Sequence, residues 1–409
     1  MRRKIYQELL QWKQRSGESA LLVQGARRVG KSYIVEAFAK AEYKSYILID
    51  FNLVDQPVKE MFEHDLVDLK TFFMKLTTYY GVKLYERESL IIFDEVQLFP
   101  RARSAIKYLV ADGRYDYIET GSLISIRENV KDILIPSEED HVDMYPLDFE
   151  EFLWANGNDT MMDFIRQALH RKAMDLFRQY LIVGGMPQAV NAFVKHNDFD
   201  EVDRVKRRIL NLYRDDIRKH AKGYEMKVEA IYDEIPSQMK NQNQHFKLSS
   251  LKQGARFDEY KDAMFWLSDA MIVNHCYNAT EPTFGLNLNR DRTLLKCYMG
   301  DTGLLISHAF DENGIVTGEV YKKLLLDKLE VNMGMVMENM VAQMLTASGH
   351  KLYFYSNSSR SDASSRMEID FLIAKSQISN RHNISPIEVK SSKNYTLSSL
   401  KKFKTKYAE

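Results

Sequence analysis

One octapeptide narrows the possible folds before anything else is read. Gly25-Ala26-Arg27-Arg28-Val29-Gly30-Lys31-Ser32 fits G-x-x-x-x-G-K-S without a gap. The apolar run Leu21-Leu22-Val23 leads into it, and Ser32 to Lys40 reads as a helix leading out. Gly25 and Gly30 allow backbone angles that a side chain would obstruct. A loop so built turns several N–H groups inward as a nest for phosphate oxygens, and the helix N-terminus adds partial positive charge. Lys31 is then expected to reach the β- and γ-phosphates of a nucleotide, and Ser32 to ligate magnesium. The expected cradle is Gly25, Ala26, Arg27, Arg28, Val29, Gly30, Lys31, Ser32 and Tyr33. Arg27 and Arg28 can face solvent or reach a neighbouring subunit of a homo-oligomer; the sequence leaves both open.

The surrounding pattern is α/β. Tyr46 to Phe51, Leu90 to Phe93 and Tyr115 to Glu119 read as strands, with a helical stretch over Val67 to Tyr80 between the first two. Strands alternating with helices predict a parallel sheet with flanking helices. In such a sheet, ligands bind beyond the C-terminal strand ends. Asp94 and Glu95 end the Leu90 strand there. Asp94 is expected to hold magnesium, usually through water, and Glu95 to orient and polarise an attacking water. Thr120 and Ser122 follow the next strand, where a hydroxyl can reach the γ-phosphate or that water; plain turn chemistry is the competing reading.

Beyond Tyr145 the pattern turns helical, over Asp148 to Trp154, Met161 to Val183 and Phe199 to His220, with turn chemistry at Gly184-Gly185-Met186-Pro187. Lys227 to Tyr277 reads as helices and then an apolar segment, which predicts a winged-helix-like region. At the end, a helix over Met333 to Ser348 precedes strands at Lys351 to Tyr355, Glu368 to Ile373 and Pro386 to Lys390. Four regions are therefore expected, over 1–144, 145–224, 225–330 and 331–409, since 409 residues exceed one ordinary domain. The chain carries 57 basic and 57 acidic residues, so no overall field favours nucleic acid or a membrane surface. No apolar run approaches a membrane span, the basic N-terminus lacks the apolar core of a signal peptide, and the two cysteines make neither disulfide framework nor zinc site. A cytoplasmic protein is expected.

Gly25 to Ser32, Asp94-Glu95-Val96-Gln97 and Glu119-Thr120-Gly121-Ser122 resemble the AAA-type branch of P-loop ATPases. Tyr145-Pro146-Leu147-Asp148-Phe149-Glu150-Glu151-Phe152 resembles the P-L-x-F-x-E-F link of a large prokaryotic group in which an AAA ATPase precedes a C-terminal domain of unknown function. Gly184 to Pro187, Asp301-Thr302-Gly303-Leu304 and Ile387-Glu388-Val389-Lys390 match further patches of that group, so the resemblance covers nearly the whole chain. It implies ATP and Mg2+ as cofactors and ATP hydrolysis as the activity. Many members carry a Gly-Arg pair shortly before the link; Ile135 to Asp140 holds no arginine, so that role is not carried over. Members usually run longer, which raises truncation of the last domain as an expectation.

Glu388 and Lys390 would share one face of a strand, with Asp370 on the preceding strand and Glu338 on a preceding helix. Glu…Asp…Glu-x-Lys is the arrangement of restriction-endonuclease-like folds, in which the acids bind magnesium and the lysine positions water or stabilises phosphate charge. The resemblance points the same way. Ser391, Ser392 and Lys393 would extend a polar edge suited to a phosphate backbone or to solvent. Three functions compete: an ATP-driven switch acting on a DNA or protein partner, an ATP-licensed DNA-binding protein or nuclease, and a nucleotide-binding scaffold without turnover. Glu95 argues against the last.

Overall fold

The structure, a computed structural model, describes residues 1–15, 17–121, 137–167, 170–240, 245–283, 285–310, 321, 333–357, 366–374, 383–391 and 395–407. They form two compact units, Met1–Tyr145 and Pro146–Glu409.

The first unit is built on five parallel strands: β1 (Ala20–Gln24), β2 (Ser45–Asp50), β3 (Ser89–Asp94), β4 (Asp116–Gly121) and β5 (Glu139–Asp143). Their order is β2-β3-β4-β1-β5. Every residue of β3 and β4 is buried, which explains the unbroken apolar run from Leu90 to Phe93: a strand covered on both faces needs no alternation. One face packs Ile47, Ile49, Phe62, Phe72, Ile91, Phe93 and Ile106 into a single core. Each such burial contributes about 2 kcal/mol. The Lys31–Glu42 helix buries Ile34, Val35 and Phe38. β5 was not foreseen. Its residues are Glu-Asp-His-Val-Asp, a polar edge strand that pairs only with β1 and so carries no hydrophobic signature.

Because β4 lies between β1 and β3, the acidic strand end is not adjacent to the loop strand. Val23 is in register with Thr120, and Phe93 with Glu119. Gln24, Thr120 and Asp94 therefore finish close to one level at the C-terminal edge.

The second unit opens with the Phe149–Ala155 helix, whose N-terminus closes a capping box between Asp148 and Glu151. Helices His170–Val183, Pro187–His196, Phe199–His220, Glu225–Lys240, Phe257–Asp269 and Thr302–Ala309 follow. Three of the sequence patches meet here. Asp301 Oδ2 accepts the Gly185 N–H at 2.6 Å, and the Leu147 N–H donates to the Gly185 carbonyl at 2.7 Å. A Cβ on Gly185 would lie 2.1 Å from the Leu147 carbonyl oxygen, and one on Gly184 2.3 Å from Asp301 Oδ1. The glycines are thus required by close approach.

A second sheet has the order β10-β9-β8-β6-β7, from β6 (Val273–Ala279), β7 (Arg290–Met299), β8 (Leu352–Asn357), β9 (Met367–Ala374) and β10 (Ile384–Ile387). Only the β6–β8 pair is parallel. The boundary expected at 330/331 falls inside this sheet, since β6 and β7 precede it and β8 to β10 follow it. Within 225–330 the described order is the helices Glu225–Lys240 and Phe257–Asp269 followed by the antiparallel pair β6–β7. The Met333–Ala347 helix covers one face, packing with Cys276, Tyr298, Phe354 and Phe371; the Ser398–Tyr407 helix covers the other, with Tyr355, Ile369 and Leu372. Among the described residues no helix is long and apolar enough to cross a membrane.

Candidate active site

The loop after β1 is shaped by two different demands on glycine. Gly30 sits at φ 95° as the N-cap of the Lys31–Glu42 helix, a left-handed conformation that suits only a residue without Cβ. Gly25 needs no unusual angle. A Cβ there would lie 2.3 Å from the Met144 carbonyl oxygen, so the chain leaving β5 excludes any side chain. Arg28 also adopts positive φ, at 72°, and Arg27 and Arg28 are both exposed. Val29 is buried. Tyr33 is 62% exposed, with the N-terminal ammonium 3.4 Å from its hydroxyl.

Lys31 is buried and lies against the loop itself, its Nζ 3.0 Å from the Gly25 carbonyl and 3.2 Å from that of Ala26. Ser32 donates from Oγ to Asp94 Oδ1 at 2.7 Å, and the buried Thr120 hydroxyl donates to the same oxygen. Hydroxyl, carboxylate and hydroxyl therefore bridge the loop helix, β3 and β4. Thr120 was expected to reach phosphate or water; its hydroxyl points into the strand ends and orients Asp94. Ser122 lies outside the described residues.

Glu95 leaves the end of β3 at φ 53°, a left-handed backbone for a non-glycine residue, which costs on the order of 1–2 kcal/mol. The turn carries its side chain out of the strand direction. Gln97, buried, donates from Nε2 to Glu95 Oε2 and holds the carboxylate there.

Two supports escaped sequence reading. Arg3, buried, donates to the Val29 carbonyl at 3.1 Å and to the Tyr145 carbonyl at 2.6 Å, tying the loop to the exit of β5. No spacing rule joins residues so distant. Beside Thr120, Glu119 is fully buried against Arg103 and Glu139. Arg103 Nη2 lies 2.8 Å from Glu139 Oε1, and His141 Nε2 3.0 Å from the same atom. Burial holds the Glu119 carboxyl well above its ordinary range, with Glu139 adding to the effect. Burial pushes Glu139 upward too, but the His141 and Glu119 hydrogen bonds and the Arg103 charge outweigh it and hold it low.

The second set of expected residues is divided. β9 carries one extra residue opposite β8, since Tyr355 pairs with Ile369 and Tyr353 with Leu372. The bulge aims Asp370 and Phe371 to the same face, that of the Met333–Ala347 helix. Burial pushes the Asp370 carboxyl up to about 6, helped by the Glu338 charge and opposed by Lys296 and by the Val389 N–H. Glu338 Oε1 lies 2.9 Å from Lys296 Nζ and accepts from the Tyr298 hydroxyl. β10 ends at Ile387, so Glu388 and Lys390 stand beyond the strand in which they were expected. Ile387 and Val389 pack with Phe371 on the Asp370 face, which turns Glu388 away from it. Glu388 Oε1 pairs with Lys390 Nζ at 3.0 Å. Of the expected set, Asp370 accepts the Val389 N–H, Glu338 pairs with Lys296, and Glu388 pairs with Lys390. Ser391 lies beyond the same strand end; Ser392 and Lys393 are outside the described residues.

Residues 17–153 match a family described as an AAA domain, residues 174–313 a domain of unknown function (DUF8612), and residues 333–409 a domain of unknown function (DUF4143). No curated protein matches the chain. Similar solved structures include a Walker-type ATPase of Pyrococcus abyssi, 13% identical, covering 75% of this chain and 95% of that one with a TM-score of 0.45. The ORC1 protein of Aeropyrum pernix in complex with DNA is 9% identical over 77% of this chain and 94% of that one, TM-score 0.31. AMPPCP-bound DnaA from Aquifex aeolicus is 11% identical over 66% and 89%, TM-score 0.30. The family match and the loop geometry together make the first unit an AAA-type P-loop domain.

Proposed function

We propose that this chain is a magnesium-dependent ATPase of the AAA type, in which ATP hydrolysis by the first unit switches how the second engages a partner, DNA or protein. The observation that carries this reading is Asp94, whose Oδ1 is held at 2.7 Å by the Ser32 hydroxyl and also by the Thr120 hydroxyl. Hydroxyls orient a carboxylate without cancelling its charge, so the Ser32–Asp94 pair fits a hard cation that favours oxygen. Ser32 and Asp94 would hold magnesium, which when bound with ATP draws charge from the phosphate oxygens.

The remaining work belongs to the chain. The N–H groups of the Gly25–Gly30 loop cradle the phosphates. Lys31 leaves its loop carbonyls to neutralise phosphate charge. Glu95, steadied by Gln97, polarises the attacking water, and Thr120 keeps Asp94 in register with the loop. The same reading places the protein in the cytoplasm, where buried thiols such as Cys276 and Cys297 stay reduced.

The test is phosphate release from ATP by the full chain, with and without magnesium, and with DNA, RNA and candidate proteins added. Magnesium-dependent release stimulated by one partner class is the expected result. ATP binding without release would leave only a nucleotide-binding scaffold.

A further inference from the structure

The face of the second sheet beneath the Met333–Ala347 helix carries a lysine that no motif announced. Lys296 belongs to β7 and is 8% exposed. Its Nζ lies 2.9 Å from Glu338 Oε1 on the helix and 3.0 Å from Glu368 Oε1 on β9. β6 and β8 lie between the two strands, so the Lys296 and Glu368 side chains meet over them, with Nζ 5.3 Å from the centre of the Phe354 ring. Tyr298, two residues along the same strand, donates its hydroxyl to the same Glu338 oxygen. Asp370 Oδ2 accepts the Val389 N–H at 2.7 Å, and Glu388 pairs with Lys390. Each acid of the nuclease-like set therefore has an intramolecular partner.

The family resemblance implies magnesium on this set, and the residues do not fit it. Magnesium demands near-octahedral oxygens at about 2.1 Å. An ammonium hydrogen-bonded to both Glu338 and Glu368 fills the volume between them, and a second cation beside it would meet strong repulsion. Glu388 is paired with Lys390 and not with Lys296. Among the described residues no three His, Cys, Asp or Glu side chains are placed to hold a metal ion.

We infer that Lys296 is the resident cation of this cluster, and that the second unit uses it as a metal-independent tie between β7, β9 and the Met333–Ala347 helix rather than as a nuclease centre. This stands apart from the ATPase reading, since none of its residues belongs to the first unit.

The experiment is a Mn2+ titration of the full chain carrying Asp94→Asn, without nucleotide, followed by electron paramagnetic resonance. With Lys296 in place, no Mn2+ binding should depend on Glu338. Adding Lys296→Met should tighten Mn2+ binding at least tenfold, and Glu338→Gln should remove the gain; Lys296→Gln serves if the methionine variant does not fold. The otherwise unaltered chain should leave DNA intact in Mn2+. Mn2+ binding that Glu338→Gln or Asp370→Asn abolishes while Lys296 is present would overturn the inference. So would Mn2+-dependent cleavage lost in Lys390→Ala, or a folded Lys296 variant that gains no metal.

Discussion

Each unit of this chain sets a lysine among oxygen atoms, and the two settings are opposites. Lys31 lies on a glycine-opened loop against main-chain carbonyls, and the nearby acid, Asp94, is held by the hydroxyls of Ser32 and Thr120. Neutral donors leave the carboxylate charge intact, so the first site retains a demand for a cation. Lys296 sits between two carboxylates, Glu338 and Glu368, and offsets part of their charge directly. The acid of the first site is held by neutral hydroxyls; the acids of the second are held by an ammonium. Similar residue types thus make a reactive centre in one place and a structural tie in the other, according to which donors reach the acid first.

The largest break in this comparison should come from Lys31→Ala. The phosphate charge loses its ammonium partner, and ATP turnover should fall by about a thousandfold or more, in line with a transition-state electrostatic contact. Calorimetric titration with ATP beside a phosphate-release assay reads both binding and chemistry; unchanged values would remove the loop from the mechanism. Glu95→Gln should keep ATP affinity and slow hydrolysis by about a hundredfold, as for a lost general base. If hydrolysis persists, the role passes to Asp94 or Ser122.

Removing the second lysine should cost stability rather than rate. Lys296→Met leaves two acids without their cation, and breaking such a pair costs several kcal/mol when fully buried. Glu338 and Glu368 are 26% and 28% exposed, so the expected loss is smaller. About 2 kcal/mol is anticipated after that discount. Urea denaturation of the full chain measures it, and a shift within error would mean the tie is slack. Thr120→Val should lower turnover by about tenfold and raise the magnesium requirement, because Asp94 keeps its charge but loses one of its two hydroxyl supports. A full loss of activity would instead give Thr120 a direct part in the chemistry.

The smallest effect concerns pH. The folded-state pKa of Asp370 is raised to about 6, first by burial and then by Glu338. The folded chain therefore holds a proton that the unfolded chain releases, and the associated stability is present below about pH 4 and lost as pH rises through about 6. Asp370→Asn should flatten that part of the profile by on the order of 1 kcal/mol while keeping an acceptor for the Val389 N–H. A profile identical to that of the parent would show that the Asp370 pKa is the same in the folded and unfolded chain.

Legibility followed the distance between partners. The strands β1 to β4 and the helix after the loop were readable because each is a contiguous apolar pattern. β5 was not, because an edge strand of Glu, Asp and His has no apolar face to betray it. Gln97 stood within the resembling segment, two residues from Glu95, yet only the turn at Glu95 brings the two side chains together. Gly184-Gly185 and Asp301 are separate patches of the sequence; their meeting is set by helix packing.

The sequence by itself determined the loop, its helix, the acidic strand end and hence the α/β class of the first unit, because those features depend on the backbone demands of neighbouring residues. Only the tertiary structure decided which acids share a face in the second unit. Alternation keeps Asp370 on the face of Glu368, the extra residue in β9 brings Phe371 onto that face as well, and Glu388 stands beyond the end of β10 at Ile387. Side chains alternate with period two along a strand, so one inserted residue reverses every assignment beyond it. The partner of Glu338 is then a lysine more than forty positions away, brought to it by strand order and helix packing rather than by any local pattern.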